Sequence, residues 1–289
     1  MKQAGSCVYG FAGLGLIGGA LAMALRKEGV VQGEGRVMAF DLDGHVLEQA
    51  LSGGVIDEAF NDPREMLKKC DVVFLCINPG AAIRFMEEYI DDFLPGTVIT
   101  DIAGVKRGIA ERMDRIPRDD IDFIPGHPMA GLEKGGYAEA DKCSFRGKNY
   151  ILTPLKRNRK ENLDFLRALI LSMGFGKITE TTPADHDKKI AFTSQLCHVI
   201  AAALIDCEGD PEITRFGGGS FEDLTRIAML NAPMWTELFL ENRDELVNCI
   251  AGFESSLDVL KNMIHRGEEE NLMEYLLRVR QRRSAMVGQ

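Results

Sequence analysis

Six residues near the start of the chain, Gly13-Leu14-Gly15-Leu16-Ile17-Gly18, constrain its fold more than any other stretch. They follow a strand-like apolar run, residues 7–12, without a spacer, and they open the helical pattern 16–27. At this spacing each glycine has its own task. Gly13 permits the tight turn, Gly15 lets a pyrophosphate approach the backbone, and Gly18 lets helix and strand pack closely. The helix start, including Leu16 and Ile17, offers backbone N–H groups that no intrahelical acceptor uses, so an anion is favoured there.

Context strengthens this reading. A second strand-like run, residues 37–40, ends in Asp41, near the distance at which an acid accepts hydrogen bonds from the adenosine ribose hydroxyls. Asp41-Leu42-Asp43 presents two carboxylates and neither Arg nor Lys, so a 2′-phosphate would be repelled and NAD is favoured over NADP. Asp41 has an alternative role as N-cap of the helical stretch 44–51. A methyltransferase also carries a glycine-rich first loop and an acid after its second strand, so later motifs must separate the two.

Strand-like runs at 7–12, 37–40, 71–77, 97–101, 121–125 and 149–153 alternate with helical patterns at 16–27, 82–93, 106–115 and 161–173. Hydrophobicity within the strands is continuous rather than alternating, which suits a parallel sheet covered on both faces. The expected fold is α/β: a doubly wound, mostly parallel, Rossmann-like sheet domain over 1–180. From Thr182 onward the pattern is helical, broken by Gly209-Asp210-Pro211, Gly217-Gly218-Gly219 and Asn231-Ala232-Pro233. An all-helical dimerisation and substrate domain is expected over 181–289.

A net charge of −10 repels nucleic-acid backbones and anionic membranes, and no run of apolar residues reaches the ~18 needed for a span. The expected partner is a small molecule, with no nucleic acid and no membrane. The opening Met1-Lys2-Gln3-Ala4-Gly5 leads into a strand without the apolar region of a signal peptide, so a cytoplasmic address is expected. Seven cysteines without a C-x-x-C pair read as reduced core thiols, with neither a disulfide framework nor a metal site. Apolar faces at 200–205 and 238–246 are hard to cover within one small domain and point to a homodimer.

Four further motifs lie in order along the chain: Gly126-His127-Pro128-Met129-Ala130-Gly131-Leu132-Glu133, Asp185-His186-Asp187, Ser194-Gln195-Leu196-Cys197-His198 and Asp223-Leu224-Thr225-Arg226-Ile227-Ala228. With the glycine loop they resemble the prephenate dehydrogenase family from about Gly13 to Trp235. The resemblance implies NAD-dependent oxidation of prephenate at C4 with loss of the ring carboxylate, giving 4-hydroxyphenylpyruvate and CO₂ in tyrosine biosynthesis. It implies His127 as the catalytic histidine, His198 beside the substrate side chain and Arg226 on a substrate carboxylate; by spacing, Ser194 at i−4 and Gln195 at i−3 can share one helix face with His198. Glu133 and Asp223 match acidic positions of an ionic network with Arg226.

Read without the family, each residue has a plainer role. His127 could be a turn residue, His198 a satisfied core histidine, His186 a helix cap, Arg226 a solvated side chain and Trp235 core or dimer interface. Two departures stand out. Gly104 occupies the place of a family serine in Asp101-Ile102-Ala103-Gly104-Val105-Lys106, and Gln195 and Cys197 replace a histidine and a proline. Arogenate dehydrogenase, a non-catalytic NAD-binding sensor and another two-domain dehydrogenase are the rival readings. Tyrosine feedback is expected at the active site itself.

Overall fold

The computed structural model describes residues 2–132 and 134–287. Strands β1 (Val8–Ala12), β2 (Arg36–Phe40), β3 (Glu58–Phe60), β4 (Val72–Leu75), β5 (Val98–Asp101) and β6 (Asp122–Phe123) form one sheet in the order β3-β2-β1-β4-β5-β6, and every pair is parallel. The order reverses between β1 and β4, and ligands of such sheets bind in the crevice that this reversal opens.

Helices α1 (Leu16–Lys27), α2 (Gly44–Ser52), α3 (Pro63–Leu67), α4 (Pro79–Tyr89) and α5 (Arg107–Met113) make the crossovers. Successive side chains of a strand point to opposite faces, and the core divides accordingly. Val72 and Phe74 join Tyr9, Phe11 and the α1 residues Leu21 and Leu25 on one face. Val73 and Leu75 join Met66, Phe85 and Met113 on the other. Both faces are therefore dry, and the continuous hydrophobicity of the strands follows from it.

A second sheet joins β7 (Gly126–Pro128), β8 (Asn149–Leu152) and β9 (Lys177–Glu180), with β7 antiparallel and β8 parallel to its neighbour. The run 149–153 lies here rather than in the main sheet. β3, β7 and β9 were not expected from the sequence, because they are short and β7 ends in a proline while β9 is largely exposed. Helix α6 (Lys160–Ser172) buries Leu166, Leu169 and Ile170 against the α1 side of the main sheet.

Among the described residues the rest of the chain is helical: α7 (Pro183–Ile190), α8 (Leu196–Asp206), α9 (Gly219–Thr225), α10 (Ala232–Glu241), α11 (Arg243–Arg266) and α12 (Glu269–Val287). A π-helical turn, Ala191–Gln195, joins α7 to α8 in one run, Pro183–Asp206. By length and apolar content this run would pass for a membrane span, yet α7 and the π-helical turn bury His186, Asp187 and Gln195 in polar contacts. The chain forms two compact units, Met1–Asn242 and Arg243–Gln289, so α7 to α10 belong with the sheets. Cys7, Cys70 and Cys143 are buried as expected, whereas Cys197 and Cys207 are exposed on and just after α8.

Phe74 is fully buried and its ring stacks on that of Phe11 with centroids 5.0 Å apart. Phe74→Ala should cost about 3–5 kcal/mol, read as a lowered urea midpoint; an unchanged midpoint would contradict this packing.

Candidate active site

The glycine loop has the geometry that its sequence suggests. Gly13 has φ +96°, and a Cβ there would lie 2.7 Å from the Cys76 carbonyl oxygen. A Cβ on Gly18 would lie 2.3 Å from the Gly13 carbonyl oxygen. Around Gly15, in contrast, a Cβ would meet nothing within 4 Å, which leaves open the space that an approaching pyrophosphate needs. No side chain caps the α1 N-terminus at Gly15. An anion can therefore complete it.

Asp41 at the end of β2 accepts hydrogen bonds from Leu14 N (2.6 Å) and Asp43 N (2.9 Å), which ties its carboxylate to the glycine loop. The α2 N-cap is Asp43, which accepts from His45 N, and not Asp41. These features fit a dinucleotide whose ribose faces carboxylates.

His127 lies on β7, paired with Ile151, and is no turn residue. Antiparallel pairing fixes its backbone just beyond the C-terminal end of β6. Its Nδ1 stands 2.9 Å from His186 Nε2, and His186 Nδ1 stands 2.7 Å from Asp187 Oδ1. The same carboxylate accepts from Lys106 N and Arg107 N, both at 2.8 Å, and so closes the start of α5. His186 is thus no helix cap; Thr182 caps α7 by accepting from Asp185 N.

Beneath this chain lies a buried ion pair between Lys106 Nζ and Asp101 Oδ2. Asp101 also accepts from Ala103 N and Gly126 N, so it anchors the strand that carries His127. Burial pushes the His127 imidazole well below its ordinary 6.5, and the neighbouring His186 and the Lys106 cation push the same way. His186 is lowered too, chiefly by burial, against the pull of Asp187. A neutral imidazole results, suited to accept a proton.

His198 on α8 is half-buried; its Nδ1 is 2.9 Å from the Ser194 carbonyl oxygen, and its ring lies 3.8 Å from that of Trp235. Burial lowers its pKa first, and the charge of Arg226 lowers it further, so Arg226 acts electrostatically on this histidine. Gln195 does not share the His198 face: it is buried, donating to Leu238 O and accepting from Asn242 Nδ2. Beside Gly104, Leu238 lies 3.3 Å from where a Cβ would be, so leucine fills the volume next to a serine's position. Glu133 lies outside the described residues.

The sequence profile of the prephenate dehydrogenase nucleotide-binding domain matches residues 21–179, and that of the prephenate dehydrogenase dimerization domain matches residues 182–278. The chain belongs to the prephenate dehydrogenase family. The family's Bacillus subtilis (strain 168) prephenate dehydrogenase is 28% identical over 270 residues, covering 91% of this chain and 72% of the relative. A solved structure, prephenate dehydrogenase from A. aeolicus in complex with hydroxyphenyl propionate and NAD+, has TM-score 0.86 and 30% identity, covering 97% of this chain and 98% of that one. Synechocystis arogenate dehydrogenase has TM-score 0.79 and 29% identity, with coverage of 96% and 99%. The first family profile begins at residue 21, beyond Gly18, so the glycine loop is read on its own geometry.

Reading the sequence gave Asp187, Lys106 and Asn242 no role. Asp187 and Lys106 lay within quoted motifs, and Asn242 had no signal beyond its polarity. Gly15→Val should leave the melting temperature within a few degrees, because the site is open, yet weaken NAD binding at least ~10-fold by calorimetry; undiminished binding would remove the loop from the cofactor site.

Proposed function

We propose that this member of the prephenate dehydrogenase family catalyses NAD-dependent oxidative decarboxylation of prephenate to 4-hydroxyphenylpyruvate in tyrosine biosynthesis. The observation that carries the mechanism is the His127 ring held by its Nδ1, at the C-terminal edge of a sheet whose glycine loop fits a dinucleotide, where burial favours its neutral form. Bound NAD supplies the hydride acceptor, and Gly15, Leu16, Ile17 and Asp41 would hold it. His127 takes the proton of the C4 hydroxyl while the ring loses its carboxylate as CO₂ and becomes aromatic.

Arg226, whose charge already reaches His198, would bind a substrate carboxylate, and His198 and Ser194 would face the side chain. Glu133 is assigned beside them on the family resemblance. Arogenate is the second reading, favoured by the likeness to an arogenate dehydrogenase of similar coverage. A functional division into a nucleotide-binding part, 1–180, and a helical part, 181–289, is supported by profiles that meet between residues 179 and 182.

The helical part would form a homodimer. Its support is the dimerization-domain match and the exposed Val247, Leu257, Ile264, Met273 and Leu276 on α11 and α12. We place the protein in the cytoplasm, with tyrosine competing at the active site because it resembles the substrate.

Purified protein should form NADH from NAD and prephenate or arogenate, and His127→Asn should lower kcat by ~10²-fold or more with NAD affinity little changed. NAD binding without turnover on either substrate would leave a sensor. The acid limb of kcat/KM should fall below pH 6.5, since the depressed His127 stays unprotonated until then. Arg226→Ala should chiefly raise KM for the organic substrate, and an unchanged KM would remove Arg226 from the site.

A further inference from the structure

We infer that His186 and Asp187 are positioning residues that fix the tautomer of His127, leaving its Nε2 as the proton acceptor. This rests on the reading of His127 as the base.

The argument follows the donors. Oδ1 of Asp187 accepts from Lys106 N and Oδ2 from Arg107 N, so a backbone donor meets each oxygen of a carboxylate, which has no proton of its own to give. Asp187 can then only accept from His186, and the proton of a neutral His186 must sit on Nδ1, 2.7 Å away. His186 Nε2 is left with a lone pair. At 2.9 Å it accepts the Nδ1–H of His127, which strips the proton from His127 Nε2. Without that acceptor both tautomers are open to His127, and one of them cannot act as a base at Nε2.

The chain also answers the departure at Gly104. A glycine cannot orient His127 through a side chain, and Leu238 fills the space beside it. The orienting hydrogen bond comes instead from the helix α7. Asp187 is itself held in place: its carbonyl accepts from Asn242 Nδ2 at 2.9 Å, and Asn242 bonds to Gln195 at 2.8 Å. These buried side chains lock the relay to α5, α10 and the π-helical turn, so its geometry is set by packing rather than by a mobile loop.

His186→Asn and His186→Gln separate positioning from mere structure. The asparagine amide can reach Asp187 but not His127, whereas the glutamine carbonyl can accept from His127 Nδ1. We expect His186→Asn to lower kcat about 10- to 100-fold, with KM for substrate and NAD affinity by calorimetry held within about twofold. His186→Gln should recover most of that loss.

The groups facing the pair are Lys106 and Asp101 from β5 and its following turn and Asp187 from α7, and all remain in both variants. What changes is only the group that His127 Nδ1 meets. Wild-type kcat in His186→Asn, or equal losses in the two variants, would overturn the inference while leaving His127 as the base. Full kcat in His127→Asn would instead remove the base, and this inference with it.

Discussion

The carboxylate of Asp187 is the point on which the site depends. It closes the start of α5 by accepting two backbone N–H bonds, and it holds the His186 ring against His127. A helix N-terminus carries partial positive charge and unsatisfied donors, so a carboxylate there is stabilised without a cation. One side chain thereby joins the helical run Pro183–Asp206 to the sheet and orients the candidate base. Fold and chemistry share a single buried anion.

Around that anion the protein sets opposite demands against each other. Lys106 is fully buried, and desolvation lowers its pKa although Asp101 favours its charge. Its cation in turn opposes protonation of His127 and His186. His127, His186 and His198 are all depressed, so below their ordinary 6.5 the unfolded chain binds more protons than the folded one. Their contribution to stability is complete above 6.5 and is lost as the pH falls through the folded values. The same burial that keeps the base neutral makes the fold acid-sensitive.

Much of this was legible in the sequence. The run 7–18 announced strand, turn and helix, because three glycines at that spacing have distinct steric tasks, and the structure shows each: a positive φ at Gly13, a packed Gly18, an open Gly15. Alternation of apolar runs gave the doubly wound sheet. What the pattern hid was the second sheet, whose strands are short or exposed, and with it the backbone pairing that holds His127 in place. Asp187 and Gln195 stood inside quoted motifs, yet nothing there named their partners. Their roles come from partners far along the chain, Lys106 and Leu238, and periodicity carries no information about such pairs. Gly104 looked like a missing hydroxyl until Leu238 was seen beside it and His186 on the His127 ring.

The central claim is that His127 is neutral near pH 7 and carries its proton on Nδ1. Nitrogen NMR of protein labelled at histidine measures both properties directly, with His127→Asn and His186→Gln assigning the signals. The account predicts a neutral His127 with an unprotonated Nε2 at pH 7, titrating well below 6.5. A His127 imidazolium at pH 7, or a neutral ring protonated on Nε2, would contradict it.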